Sequence, residues 1–173
     1  MVELDVSLPP RITAVCHLAH GLEFALVNMS TEILAVLLNN GTSPTTGAQL
    51  LQKATVDEMF RNQISHLPPL KEKSFPDAVP ELVKPSVGLH PSVEGDRQGW
   101  GITFMLSGGA TGRSLGTAQW SGLPNLQWWC DRDNGVAGIV CTQVLPFGDG
   151  KLWHLWQAVE AEVYKGLSVN SPM

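Results

Sequence analysis

The sequence predicts an α+β fold: an antiparallel sheet of three to five strands packed by a C-terminal helix, with further helices from residues 22–63 beside it. Three observations support this fold class. Short apolar runs rich in aromatic and β-branched residues recur late in the chain, a hairpin signal separates two of them, and an amphipathic helix follows. The runs occupy residues 101–106, 126–130 and 136–144.

The hairpin signal is Asp133-Asn134-Gly135. Asn and Gly accept the positive φ angles that tight turns between antiparallel strands require. A turn centred on Asp133 and Asn134 pairs residue 130 with about residue 137, so the second and third runs are predicted to be neighbouring strands.

The C-terminal helix is predicted to open at Asp149, and its apolar residues recur at helical spacing along one stripe. That stripe consists of Leu152, Leu155, Trp156, Val159 and Val163. We expect the stripe to pack on one face of the sheet. Trp153 and Trp156 are interpreted as core aromatics rather than ligand-stacking groups, because large aromatic side chains dominate buried area.

Two helices are predicted upstream of the strands. The first is apolar nearly all round, with Ser30 at its N-cap and Asn40-Gly41 at its end. The second begins at a capping box formed by Thr55 and Glu58 and runs to about Gln63.

The domain organisation follows from these elements. Residues 1–21 show no clean period and are expected to be poorly ordered. Residues 22–167 form one domain, in which residues 64–98 are a long Pro-rich loop. Residues 168–173 are expected to fray.

Composition excludes several classes of protein. At 173 residues with 43% hydrophobic and 16% charged residues, the chain is globular and long enough for one domain. Its net charge of −5 and the absence of a Lys/Arg cluster disfavour nucleic acid as a partner. No apolar run approaches the ~20 residues of a membrane span. An acidic start without a signal peptide predicts a cytoplasmic protein.

The cysteines and histidines indicate neither a disulfide nor a metal site. The predicted hairpin register does not pair Cys130 with Cys141, so both are interpreted as buried thiols in a reducing compartment. Cys16-His17 with His20 resembles part of a metal site, but a structural zinc site needs a second ligand pair. We expect no metal and no cofactor.

The stretch from residue 119 to 125, Gln-Trp-Ser-Gly-Leu-Pro-Asn, connects the first two predicted strands. Together with Gly99-Trp-Gly-Ile-Thr-Phe-Met, Trp128-Trp-Cys-Asp, Gly135-Val-Ala-Gly and Thr142-Gln-Val-Leu-Pro-Phe-Gly-Asp, it resembles the C-terminal part of the β-lactamase-like serine hydrolases. The nearest branch is the fungal esterases and transesterases related to the lovastatin acyltransferase. The resemblance covers roughly residues 30–167, and implies a partial β-lactamase or transpeptidase-like fold.

That family has a three-part active site, as the resemblance implies it. A Ser-x-x-Lys motif supplies the nucleophile and a base, a Tyr assists proton transfer, and a strand carrying Lys-Thr-Gly or Trp-Gly-Gly forms one wall. Only the third part is matched, by Trp120-Ser121-Gly122. The backbone N–H of Leu123 would then help to hold the oxyanion, and a backbone donor aimed at developing charge is a large catalytic term.

The other two parts of that site are absent from this sequence. No Ser has a Lys three residues later, and the single Tyr, Tyr164, lies in no Tyr-x-Asn setting. The chain therefore resembles a C-terminal half without its catalytic half. No catalytic residue is assigned.

Three other patterns have a plain structural interpretation. Ser121 would need an adjacent base, and no spacing joins it to His66 or His154, so it is interpreted as a strand-face hydroxyl. The Gly-rich residues 108–113 lack the Gly-Lys-Ser/Thr of a P-loop and are interpreted as a turn between strands. Asp131 and Asp133 are interpreted as solvated turn residues.

Two functions remain open. The first is a truncated member of the esterase and acyltransferase family, acting on a small acyl or ester substrate in fungal polyketide or other secondary metabolism. Activity would need the missing N-terminal half, supplied either by another chain or by an unrecorded upstream exon. The second is a non-catalytic binding or assembly protein, a homo-oligomer included, that uses apolar sheet and helix surface left exposed.

Overall fold

The computed structural model describes residues 2–5, 11–16, 22–68, 79–84 and 98–169. These residues form seven strands and three helices. In chain order they are β1 (Val2–Asp5), β2 (Arg11–Cys16), α1 (Leu22–Leu38), α2 (Lys53–Met59), β3 (Gly99–Trp100), β4 (Met105–Leu106), β5 (Ala118–Gly122), β6 (Leu126–Asp131), β7 (Val136–Cys141) and α3 (Gly150–Val169).

The strands form one sheet in the order β1-β2-β7-β6-β5-β4-β3. The five strands β3 to β7 pair antiparallel with one another, which confirms the predicted α+β fold with an antiparallel sheet and a C-terminal helix. Two more strands extend the sheet beyond β7. Strand β2 runs parallel to β7, and β1 pairs antiparallel with β2. These two strands were not predicted: β1 is only four residues long and β2 only six, too short for their patterns to stand out in a segment that also contains Pro9-Pro10.

The β6–β7 hairpin has the predicted register. Cys130 lies opposite Ala137, and Gly135 in the connecting turn has a φ of 63°. That value lies in the left-handed region that Gly adopts without strain. Cys130 and Cys141 are both buried and are not bonded to each other. Burial raises the pKa of the Cys130 thiol well above its ordinary value, so this thiol is held protonated and unreactive.

Alternate residues of each strand point to opposite sides of the sheet, and helices cover both sides. On one face, Ala137 and Ile139 of β7 pack with Leu34 and Leu37 of α1 and with Val56 of α2. On the other face, the cluster consists of Trp129, Val136, Val140, Trp156 and Tyr164, the last two from α3. The C-terminal helix therefore packs on one face of the sheet, as predicted, and the upstream helices cover the other.

The start of α3 follows the predicted local signal. The Asp149 carboxylate accepts hydrogen bonds from the backbone N–H groups of Lys151 at 3.0 Å and Leu152 at 3.2 Å, as an N-cap side chain does. The predicted apolar stripe is correct at Trp156, which is 2% exposed, but wrong at Leu155, which is 39% exposed. Tyr164 takes the buried position further along the helix instead.

The predicted starts of the other helices are wrong. Helix α1 begins at Leu22, so Ser30 lies inside it rather than at its N-cap. Helix α2 has Gln52 at its N-cap, which places Thr55 in its first turn. The predicted end of α1 is correct, since Asn40 and Gly41 have φ angles of 54° and 95° and the Gly41 N–H donates to the Val36 carbonyl oxygen at 2.8 Å.

The remaining predicted segments lie partly outside the described residues. Of the long loop 64–98, residues 64–68, 79–84 and 98 are described; Val83 and Phe147 form an isolated parallel bridge. Helix α3 continues to Val169, beyond the predicted limit at residue 167. His17 and His20 lie outside the described residues. Within the described part, no helix has both the length and the apolar character needed to cross a membrane.

Gly138 is a position where the core requires the absence of a side chain. A Cβ atom there would lie 2.1 Å from a ring carbon of the fully buried Trp129. We expect Gly138→Ala to lower the free energy of unfolding by about 1–3 kcal/mol, the usual cost of overpacking. Gly166→Ala is the matched control, because a Cβ there meets nothing within 4 Å. Urea unfolding of both variants checks the difference, and equal midpoints would show that the Trp129 ring moves aside freely.

Candidate functional site

Strand β5 extends past the end of its neighbour β4. Along its whole length, β5 pairs with β6, but β4 pairs only with Ala118 and Gln119. Just before β4 the chain bends, and Thr103 has a φ of 79° in that bend. The second half of β5, which carries the predicted site, therefore lies at a step in the sheet where β4 has already ended.

The four predicted site residues are contiguous at this step. Trp120 is 40% exposed and Leu123 is 47% exposed. Ser121 and Gly122 between them are half-buried. A Cβ at Gly122 would make only ordinary contacts, at 3.7 Å from Leu126 and 3.8 Å from Pro124. Packing among the described residues therefore does not require a Gly here, and the missing side chain leaves room beside the strand.

Aromatic side chains flank the exposed end of β5. The Trp100 and Trp120 rings meet edge to face with centroids 4.8 Å apart. Trp128 lies directly opposite Trp120 on β6, and its ring meets that of Phe104 at 6.0 Å. Edge-to-face contacts of this kind are favourable and hold rings in fixed orientations. The step in the sheet thus has an aromatic wall in which the Trp120 indole is the most exposed ring.

Asn125 fixes the turn that follows the site. Residues 123–125 join β5 to β6, and Asn125 has a φ of 57°. Its side-chain amide donates to the carbonyl oxygens of Val144 at 2.7 Å and Pro146 at 3.0 Å. Its side-chain oxygen accepts from the N–H groups of Gly148 at 2.8 Å and Asp149 at 3.0 Å. Asn125 therefore ties the end of the predicted site to the loop that leads into α3.

Thr142 adds a second tie to the same turn. Its hydroxyl donates to the carbonyl oxygen of Pro124 at 2.5 Å and lies 3.2 Å from that of Asn125. Backbone donors act on developing charge only when they are preorganised. The turn that contains Leu123 is held in this way on two sides.

Removal of the Asn125 side chain is expected to be costly. Asn125→Gly keeps the left-handed backbone accessible but leaves two carbonyl oxygens and two N–H groups without their partner. We expect the free energy of unfolding to fall by about 1–3 kcal/mol, the cost of leaving buried polar groups unsatisfied. Thermal and urea denaturation measure this. An unchanged stability would mean that solvent replaces all four bonds.

Asp131 is not the solvated turn residue that was predicted. It is fully buried, and its carboxylate accepts hydrogen bonds from the Ser114 N–H at 3.0 Å, the Asn134 amide at 2.9 Å and the Tyr164 hydroxyl at 2.9 Å. Burial by itself would raise the pKa of Asp131, but the hydrogen bonds from Asn134 and Ser114 outweigh it and lower the pKa. Asp133 does lie in the exposed turn, as predicted.

The Gly-rich residues 108–113 connect β4 to β5, as predicted, but Arg113 turns inward. Its Nε lies 3.2 Å from a carboxylate oxygen of Glu160, and both side chains are at most 4% exposed. The guanidinium also lies over the Trp156 ring, 5.3 Å from its centroid. The Thr111 hydroxyl donates a hydrogen bond to a carboxylate oxygen of Glu160 at 2.6 Å. Burial raises the pKa of Glu160, although the Arg113 charge and the Thr111 hydrogen bond oppose the shift.

The described residues contain no activated nucleophile beside the predicted wall. Neither His66 nor His154 bonds to Ser121, and both are exposed. Tyr164 is buried and donates to Asp131, and burial together with that negative charge raises the pKa of its hydroxyl. In the same part of the chain, no three His, Cys, Asp or Glu side chains are grouped to hold a metal ion.

Solved structures share this arrangement of strands and helices. Simvastatin synthase (LovD) from Aspergillus terreus, in its LovD6 mutant, matches with a TM-score of 0.58 and 24% identity over 80% of this chain and 32% of that chain. The fold of the described residues resembles part of the β-lactamase-like fold. The unliganded enzyme matches with a TM-score of 0.57 and 23% identity over 79% of this chain and 33% of that one.

This likeness covers only part of the neighbouring proteins. The LovD9 mutant of simvastatin synthase has a TM-score of 0.57 at 21% identity, with 80% of this chain and 34% of that chain covered. The chain thus spans about a third of the length of the structures it matches. No protein-family model matches the sequence, and it has no significant match among curated proteins. The predicted resemblance is confirmed at the level of the fold, and the roles of Trp120, Ser121, Gly122 and Leu123 stay predictions.

Sequence reasoning missed the residue that fixes the turn after the predicted site, because Asn125 entered only as the end of a motif. It also missed the burial of three charged residues elsewhere: Arg113 was placed in a turn between strands, Asp131 in a solvated turn, and Glu160 was given no role. The sequence carries one signal that points to Asn125. This residue ends a Leu-Pro-Asn turn directly before β6, a position where Asn often adopts positive φ.

Proposed function

We propose that residues Trp120 to Leu123 form the acyl-pocket wall and one oxyanion donor of a serine esterase or acyltransferase site, whose nucleophile and base lie outside residues 1–173. The single observation that carries this proposal is the position of these residues. They lie where β5 passes the end of β4, on a fold shared with part of simvastatin synthase.

The local geometry suits an acyl group. An exposed indole lies beside a half-buried Gly whose position is not crowded, and Leu123 follows in a turn fixed by Asn125. An apolar wall beside a rigid backbone donor binds the hydrocarbon part of an ester and stabilises charge on its carbonyl oxygen. This geometry supports a small acyl ester as the proposed substrate class. The likeness to simvastatin synthase from Aspergillus terreus supports a proposed step of fungal secondary metabolism, such as polyketide modification. The cytoplasm is proposed as the compartment on the acidic start of the sequence alone.

Two experiments test the catalytic part of the proposal. The isolated chain should hydrolyse p-nitrophenyl acetate no faster than buffer. A chimaera in which this chain replaces the matching third of simvastatin synthase should hydrolyse the same ester. Turnover by the isolated chain that survives Ser121→Ala would place the nucleophile elsewhere in this chain. A chimaera that folds, by circular dichroism and monomeric elution, yet hydrolyses nothing would contradict the role of the wall.

A second function is favoured by one observation. Large apolar side chains are exposed on several elements, with Ile33 60% exposed, Leu50 66% and Leu115 60%. Exposed apolar surface of this kind favours association with a second copy or a partner chain. Light scattering coupled to size exclusion distinguishes the two functions. A concentration-independent monomer without binding of a hydrophobic dye counts against an assembly protein.

A further inference from the structure

A cavity of about 460 Å³ lies between α1 and the loop that follows it. It is lined by Glu32, Ile33, Val36, Leu37, Ser43, Thr46, Leu50 and Leu51. The α1 residues Val36 and Leu37 are buried, whereas Ile33 and Leu50 at the mouth are 60% and 66% exposed. Small-molecule sites in proteins have volumes of roughly 300–1,000 Å³ and mostly apolar walls.

The wall opposite α1 is a tightly bonded loop rather than a loose segment. Gly41 accepts hydrogen bonds at its carbonyl oxygen from the N–H groups of Leu50 at 2.8 Å and Leu51 at 3.0 Å. Thr42 forms an antiparallel bridge with Gln49, and the Ser43 N–H donates to Ala48 at 2.9 Å. These bonds hold the loop closed on itself, so the cavity is preformed and a ligand need not order the wall when it binds.

The polar side chains that line the cavity are two hydroxyls, of Ser43 and Thr46, and one carboxylate, of Glu32. The Ser43 hydroxyl oxygen accepts from the Thr46 N–H at 3.2 Å, and that of Thr46 accepts from the Ala48 N–H at 3.2 Å. Both hydroxyl oxygens therefore accept hydrogen bonds from within the loop. Glu32 is exposed at the mouth, where its carboxylate accepts from the Thr45 hydroxyl at 3.1 Å. Among the described residues that line the cavity, Glu32 is the one with a charged side chain, and none is Lys or Arg.

We propose that this cavity binds a small amphiphile with an aliphatic body and a cationic ammonium head, the body between α1 and the loop and the head against Glu32. The apolar walls remove the hydrocarbon from water. A negative charge at the mouth, on a chain of net charge −5, attracts a cation and repels a carboxylate. The inference uses none of residues 120–123 and goes beyond the proposed acyl site.

Two probes of equal chain length test the charge preference. n-Octylammonium and n-octanoate are titrated into the full chain, and methyl resonances of Val36, Leu37 and Leu51 are followed by NMR. We expect octylammonium to shift these resonances and to bind about tenfold more tightly than octanoate, since one probe is attracted and the other repelled. Equal affinities, or no shift at these methyl groups, would overturn the proposal.

Matched variants assign the preference to one carboxylate. Glu32→Gln keeps the shape of an exposed side chain and should bring the two affinities within about twofold of each other. Glu162→Gln removes the same charge from α3, where the side chain is 73% exposed, and should leave the tenfold preference intact. If both variants lose the preference for octylammonium, the preference comes from the net charge of the chain and not from Glu32, which would contradict the proposal. Concentration-dependent self-association that shifts the same methyl groups without a probe would identify a second copy as the occupant and contradict the proposal.

Discussion

Leu123→Pro should abolish most of the ester hydrolysis of the chimaera, while Leu123→Ala should not. Proline has no backbone N–H, so the first variant removes the proposed oxyanion donor and the second keeps it. Loss of one such donor lowers kcat by about 100- to 1,000-fold, equivalent to about 2.7–4 kcal/mol of transition-state stabilisation. The side chain of Leu123 is 47% exposed, so its truncation removes little packing.

The pair of Leu123 variants separates chemistry from folding. The initial rate of p-nitrophenyl ester hydrolysis gives the effect on kcat, and circular dichroism with urea unfolding shows whether each variant keeps the fold. Equal rates in folded Leu123→Pro and Leu123→Ala would show that this N–H does not meet the developing negative charge. A loss that appears in KM rather than kcat would assign Leu123 to substrate binding instead.

Elements specified by neighbouring residues were predictable from the sequence. Asp149 caps α3 because its carboxylate needs only the N–H groups of the next turn. Gly135 closes the β6–β7 hairpin because a short turn needs a residue that tolerates positive φ. Ser30 carries the same kind of local signal as Asp149, yet α1 begins at Leu22 and runs through it. An N-cap signal inside a longer apolar segment does not interrupt a helix whose face packs on the sheet.

Contacts between distant residues were not predictable in this way. Asp131 is the last residue of β6 and precedes an exposed turn, so it has the local setting of a solvated residue. Its burial depends on Ser114 and Tyr164, which reach it from a loop and from α3. The parallel pairing of β2 with β7 likewise joins the two ends of the chain. The site residues Trp120 to Leu123 were located by resemblance, and the step between β4 and β5 that exposes them is visible only in the structure.

Loss of Glu160 should lower the free energy of unfolding more than loss of Arg113, its buried ion-pair partner. Glu160→Leu leaves a guanidinium that stays charged in an enclosed site, because Arg does not deprotonate in proteins. We expect a loss of about 3–5 kcal/mol in the free energy of unfolding. Arg113→Leu leaves a carboxyl whose pKa is already raised by burial and which escapes the penalty by binding a proton. Its cost should therefore be smaller, although the contact with Trp156 is also lost.

The pH dependence of the free energy of unfolding follows from the direction in which the pKa of Glu160 is shifted. A carboxyl with a raised native pKa binds its proton more tightly in the folded state than in the unfolded state. Its contribution to stability is therefore complete below its unfolded pKa and declines as the pH rises through its native pKa. In Arg113→Leu the decline should be steeper, because the opposing positive charge is gone. Asp131 acts in the opposite sense, since its lowered pKa means that its contribution is lost as the pH falls through its native value.

The double variant Arg113→Leu/Glu160→Leu decides between an ionic and a packing origin. With both charges replaced by apolar side chains, no buried charge is left uncompensated, and the double variant should be more stable than Glu160→Leu alone. Urea unfolding of the wild type, the two single variants and the double variant between pH 5 and 8 supplies the complete cycle. Additive losses, together with pH profiles parallel to that of the wild type, would show that Arg113 and Glu160 stabilise α3 by packing and not through their charges.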